Sequence, residues 1–66
     1  MKFAKLRGRI REKFGTEVAF ADAMGMDRGT ISRKLRGVSP WKMPEVKKAC
    51  ELLDIPDSEM SDFFLN

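Results

Sequence analysis

The chain has 66 residues, with 13 Lys and Arg against 10 Asp and Glu, no histidine and one cysteine. A chain this short buries little more than half of its unfolded surface, so one domain over residues 1–66 is expected, with a core too small for a roomy catalytic cleft. Without histidine the commonest general base and metal ligand are missing, and Cys50 alone makes neither a metal cluster nor an internal disulfide, which points away from an enzyme and from any metal or cofactor.

Cys50 is expected to be reduced and buried, as suits a cytoplasmic protein. No apolar run approaches the roughly 18 residues of a membrane span, and Met1-Lys2 leads into charged residues rather than a signal peptide's apolar core. Charge is unevenly spread. Residues 1–42 hold eleven Lys and Arg against four Asp and Glu, a net +7, whereas 43–66 hold two against six, a net −4. A basic portion beside an acidic one points to a single face aimed at polyanions, the other end being kept off it; the plainer alternative is that the charges only solubilise a small helical protein.

In chain order, Leu6, Ile10 and Phe14 recur every four residues and form one stripe of a first helix over Phe3–Phe14. Lys5, Arg7, Arg9, Arg11 and Lys13 take the remaining surface, as a solvated face or, for Arg9 and Lys13, within reach of a phosphate. Gly8 costs this helix about 1 kcal/mol relative to alanine, so it must rely on tertiary packing. Gly15 ends it, and Thr16 caps a second helix, about Glu17 to Met24, whose Phe20 and Met24 face the core beside a small Ala21. Gly25 closes that helix, Met26 tucks the turn inward, and Asp27 is a good N-cap for the next.

A third helix runs from Arg28 to Arg36 and stops at Gly37. At about 100° per residue, Ile31 and Leu35 share the inward side while Gly29, Arg33 and Arg36 point away and Ser32 flanks them. Such a face lets backbone approach closely and supplies forked donors that bond guanine O6 and N7 or grip phosphate; the helix N-terminus adds unpaired N–H groups attractive to an anion. The plain alternative is arginines that only face solvent. Two short apolar-periodic segments joined by Gly25-Met26-Asp27, with the cations of the second away from its apolar side, have the layout of a helix-turn-helix in helices 2 and 3.

Loop chemistry follows in Val38-Ser39-Pro40-Trp41-Lys42-Met43-Pro44, where Ser39 and Lys42 are candidate phosphate contacts. Trp41 is expected to be half core, its indole N–H free to bond outward, although simple packing also accounts for it. Pro44 suits the first turn of a fourth helix to Leu53, with Val46, Ala49, Cys50 and Leu53 inward and Lys47, Lys48 and Glu51 outward. Pro56 breaks the chain, and Asp57-Ser58-Glu59 starts a short fifth helix to Phe63 or Phe64. Met60, Phe63 and Phe64 are placed to close the core beneath helices one and four; otherwise Phe64 and Leu65 form an exposed dimer contact.

At this point the chain resembles the DNA-binding domain of the lambda repressor and Cro family, especially its small phage-type single-domain members. Phe20, Ala21, Met24, Gly25, Met26 and Ile31 stand where that motif carries apolar, alanine, apolar, glycine, apolar and branched apolar residues. Lys34-Leu35-Arg36-Gly37, Ser39-Pro40-Trp41 and Glu51-Leu52-Leu53-Asp54-Ile55-Pro56 look like the phage subgroup, and the likeness covers nearly the whole chain. The resemblance implies an all-α, compact five-helix lambda-repressor-like domain that binds double-stranded DNA through helix three in the major groove. Base reading then maps to Arg28, Gly29, Ser32 and Arg33, and phosphate clamping to Thr16, Ser39, Trp41 and Lys42, with Arg36 of the outward face beside them.

The implied function is a sequence-specific transcriptional regulator, a repressor or Cro-like switch, with no membrane or small-molecule partner. It would pair as a homodimer on a pseudo-palindromic operator with half-sites about 34 Å apart. A protein-binding adaptor or antirepressor on the same scaffold is the competing reading, because a fold alone does not assign function. Two residues depart from the pattern. Glu17 stands where glutamine is frequent, and its carboxylate would repel a phosphate unless turned away. Lys34 stands at a usual core position, with Leu35 taking that job, so helix three is open to a slight rotation that moves the base contacts by one position.

Overall fold

In the computed structural model, which describes residues 2–65, the four-residue spacing of Leu6, Ile10 and Phe14 becomes one face of helix α1 (Ala4–Phe14). Leu6 and Ile10 are fully buried and Phe14 half-buried. Helix α2 (Glu17–Met24) begins at Thr16, whose Oγ1 accepts the Ala19 N–H at 3.1 Å, and buries Phe20, Ala21 and Met24. Phe14 and Phe20 meet edge to face, with ring centroids 5.6 Å apart, which joins the first two helices.

The turn out of α2 is set by Gly25, at φ 71°. Its N–H donates to the Asp22 carbonyl and that of Met26 to the Ala21 carbonyl (2.9 Å), so two carbonyls left open by the helix end are satisfied. Helix α3 (Arg28–Leu35) follows at once, with Asp27 Oδ2 accepting the N–H groups of Gly29 (2.9 Å) and Thr30 (3.4 Å). It ends one residue before the expected Arg36, because Gly37 at φ 79° turns the chain. Gly37 N–H bonds the Lys34 carbonyl and Val38 N–H the Arg33 carbonyl.

Helix α4 (Met43–Leu53) starts one residue earlier than its proline implies, Pro44 taking the second position, where a missing N–H leaves no helical bond unmade. Val46, Ala49, Cys50 and Leu53 are buried as their spacing requires. At its C-terminus Asp54 adopts the left-handed conformation at φ 55° in place of a glycine. The expected fifth helix is split into a 3₁₀ turn (Asp57–Glu59) and helix α5 (Met60–Phe64). Phe63 and Phe64 are both buried, so Phe64 closes the core and only Leu65 is left exposed.

Phe20, Phe63, Leu6, Ile10, Ile31, Leu35 and Leu53 are fully buried and come from α1, α2, α3, α4 and α5, giving one core to which each of these helices contributes. Each such side chain stabilises the fold by about 1.5–3 kcal/mol relative to leaving it exposed.

Gly25 provides a test of the turn. A Cβ there would find only Lys48 Nζ, at 3.9 Å, so the penalty for a side chain is conformational rather than steric. Gly25→Ala is expected to lower unfolding free energy by about 1–2 kcal/mol, and Gly25→Asn by less, since asparagine tolerates this region. Equal losses in urea titrations of the two variants would contradict that account.

Candidate nucleic-acid interface

Helix α3 sorts its residues by side. Ile31, Lys34 and Leu35 are buried, whereas Arg28, Arg33 and Arg36 are exposed and Gly29, Thr30 and Ser32 half-buried. Arg28, Gly29, Ser32, Arg33 and Arg36 therefore share one side of the helix. Arg33 Nη2 donates to Thr30 Oγ1 at 3.3 Å one turn earlier, which lays its guanidinium along the helix surface. Among the described residues none of the three arginines has a carboxylate within ion-pair distance, and Lys42 has none either.

The cations of α1, Arg11 excepted, are in a different state. Arg7 Nη1 pairs with Glu17 Oε2 at 2.9 Å, which turns that carboxylate toward α1. Arg9 Nη1 donates to the carbonyls of Leu53 (2.7 Å) and Asp54 (3.2 Å), and Lys13 Nζ bonds Asp54 Oδ2 at 2.9 Å. Arg9 and Lys13, considered above for phosphate, instead close the C-terminus of α4, where cations complement the helix dipole. Lys5 lies 3.9 Å from Asp62. The acidic end of the chain is thus not simply held away from the basic part; Glu45, Asp54 and Asp62 neutralise Lys34, Lys13 and Lys5.

Two further expectations are corrected. At the N-terminus of α3 the N–H groups of Gly29 and Thr30 are not open to an anion, because the Asp27 carboxylate already takes them. Gly29 makes room for that cap, since a Cβ there would lie 2.9 Å from Asp27 Oδ2 and 3.4 Å from Arg33 Nη1. Trp41 Nε1, expected to bond outward, is buried with no partner among the described residues. Its ring packs edge to face on Phe3 (6.5 Å) and Phe64 (5.2 Å) and lines an apolar groove with Met43 and Met60. Trp41 therefore holds the loop to the core and presents no indole donor to a phosphate.

Of the remaining candidates, Ser39 is half-buried in the loop after α3, and Lys42 is exposed as the N-cap residue of α4. Thr16 is exposed at the start of α2, its hydroxyl oxygen occupied by the Ala19 N–H. Two residues not singled out for this surface also belong to its frame. The Lys2 stem lies over Gly37, so that a Cβ on the glycine would meet Lys2 Cδ at 2.5 Å, a neighbour no sequence pattern announces. Lys34 is 5% exposed, and its Nζ bonds the Pro40 carbonyl at 2.8 Å and Glu45 Oε1 at 2.9 Å. Its spacing of three from Ile31 already turns it inward, a signal that its charge conceals.

Glu45 Oε1 also accepts the Lys42 N–H at 2.9 Å, which caps the start of α4; a lysine ammonium has no acceptor to return the bond. Burial alone would raise the Glu45 carboxyl, but the Lys42 N–H and the Lys34 ammonium outweigh it and hold the group below the usual carboxylate range. Asp54 is likewise lowered by its bond to Lys13 and the charge of that residue. Burial, with the nearby Asp57 charge, pushes the Cys50 thiol up and leaves it a poor nucleophile.

Among the described residues the protein is all-α, with five α-helices, and the third presents three exposed arginines without an ion-pair partner. The chain belongs to DUF739, a protein family of unknown function, whose match covers residues 1–66. No curated protein matches the sequence. Among the described residues no helix is long and apolar enough to cross a membrane.

The lowered Glu45 carboxyl has a measurable consequence. Its contribution is complete above the pKa of an unfolded glutamate and is lost as pH falls through the lower folded value. Thermal unfolding between pH 7 and pH 2.5 is expected to show a shallower acid decline in Glu45→Gln than in the parent; identical acid limbs would show that Glu45 is not linked to folding.

Proposed function

We propose that this protein is a sequence-specific double-stranded DNA-binding regulator of transcription, with α2 and α3 as a helix-turn-helix and α3 as the element offered to the major groove. The observation that carries this reading is the division of cations: Lys5, Arg7, Arg9 and Lys13 of α1 are engaged with carboxylates and carbonyls and only Arg11 of that helix is not, while among the described residues Arg28, Arg33 and Arg36 stand exposed on one face of α3 without such partners. An unpaired guanidinium retains its full capacity for bidentate bonding to guanine or phosphate. The resemblance to lambda repressor and Cro proteins supports the same assignment and suggests a repressor or Cro-like switch.

In this reading Arg28, Gly29, Ser32 and Arg33 face the bases. Arg36, Ser39, Lys42 and Thr16 lie along the phosphates, with Trp41 acting only through the loop it anchors. Pairing of two copies on a pseudo-palindromic site follows from the same resemblance. A protein-binding adaptor is the second reading, favoured by the exposure of Val38 (66%), Met43 (57%) and Leu65 (79%). Fluorescence anisotropy with random duplex at two salt concentrations separates the two, because phosphate contacts release counterions and weaken steeply with salt, while adaptor contacts to protein give no such duplex binding.

Selection from a random duplex pool supplies the cognate site for the decisive comparison. Arg33→Ala is expected to cost about 1–3 kcal/mol of discrimination at one base position. Lys42→Ala should weaken all duplexes alike and reduce the salt slope by about one. Equal losses on cognate and scrambled duplex for both variants would falsify that division of labour.

Asp27 provides an independent check on which end of α3 meets the polyanion. Asp27→Ser keeps an N-cap oxygen but removes a carboxylate from the start of the helix. Affinity for any duplex is expected to rise without a change in thermal stability, and unchanged or weaker binding would place the DNA elsewhere.

A further inference from the structure

We propose that Lys34 is a buried strut that sets the position of the loop over residues 37–42 relative to α3, so that loop and helix present one continuous surface. Its consequence for DNA rests on the functional reading above; the strut itself does not. An ammonium at 5% exposure is costly to bury unless its donors are met, and Lys34 has three N–H groups to satisfy. Two known partners come from opposite ends of the segment that follows. The Pro40 carbonyl lies at 2.8 Å in the loop, and Glu45 Oε1 at 2.9 Å in the first turn of α4.

Glu45 Oε1 in turn accepts the Lys42 N–H at 2.9 Å, so a single carboxylate oxygen links the buried cation of α3 to the backbone of Lys42. The Trp41 ring sits between these two anchored residues, with Lys34 Nζ 6.0 Å from its centroid. Pro40, Trp41 and Lys42 are each held by a different contact, and two of the three lead back to Lys34 and Glu45. Apolar burial would not produce this arrangement. A leucine at position 34 packs as well in a core but offers the Pro40 carbonyl nothing. Replacing a buried ion pair by apolar residues is often neutral or stabilising, so this pair is better explained by what it positions than by stability.

The protein contains a built-in reporter, since Trp41 is its only tryptophan and lies in the tethered loop. Three variants are compared with the parent: Lys34→Met, Glu45→Met and the double substitution, which leaves no unpaired buried charge and keeps the test available where a single change unfolds the chain. Circular dichroism reports the helices, acrylamide quenching the accessibility of Trp41, and anisotropy the binding of cognate and scrambled duplex. The expected result is retained helix content with greater Trp41 quenching in each folded variant.

On duplex, affinity falls by the same factor for both sequences, with the salt slope lower by about one, as when one phosphate contact is lost. Lys34→Met and Glu45→Met change net charge in opposite directions, so an effect of charge alone would weaken binding in one and strengthen it in the other. The strut requires both to weaken it. Unchanged quenching in folded variants, or stronger binding by Glu45→Met, overturns the proposal. If the parent binds no duplex yet quenching rises in the variants, the DNA reading fails and the strut stands.

Discussion

A helix of eight residues has almost no stability of its own in water, because nucleation is unfavourable and too few bonds follow it. Helix α3 therefore exists only because its neighbours fix it at both ends and along one side. Ile31 and Leu35 are fully buried in the core, Asp27 caps the first turn, and Gly37 closes the last. Everything its outward side can do depends on that support. The same burial that stabilises the helix determines which residues are left outside, since periodicity permits only one arrangement with both apolar residues inward.

Charge in this molecule is divided by use rather than by position in the chain. Arg7, Arg9 and Lys13 tie α1 to the start of α2 and to the end of α4, and the acidic partners they need come from Glu17 and from the C-terminal third. Such partly exposed pairs contribute little each. Their effect on the surface is larger than their effect on stability, because they remove most of the charge of α1 from competition. Among the described residues Arg28, Arg33 and Arg36 of α3 are left without an ion-pair partner, three on one short helix against Arg11 alone on α1.

The loop after α3 shows how polar and apolar contacts share the work of holding an irregular segment. Trp41 spans Phe3 and Phe64 and brings the N-terminal residues, the loop and α5 into one cluster. That anchoring leaves its indole N–H buried and without a partner among the described residues, a cost set against the aromatic packing. The backbone on either side is held by Lys34 and Glu45, which no apolar residue replaces, because a loop carbonyl and a helix-start N–H need polar partners.

Much of the architecture is written locally. The four-residue spacing of Leu6, Ile10 and Phe14, the glycines at 15, 25 and 37, and the capping residues Thr16 and Asp27 determine where the first three helices begin and end within a residue, since caps and left-handed turns are short-range chemistry. The outward set on α3 follows from the same periodicity. Only the tertiary structure decided which cations are available and which polar groups are hidden. That Arg9 reaches the Leu53 carbonyl, 44 positions along the chain, that Lys34 is buried against Pro40 and Glu45, and that Trp41 turns its N–H inward all depend on distances between segments. A residue's sequence position specifies its own side of a helix, but the partner that satisfies its charge is chosen when the helices pack.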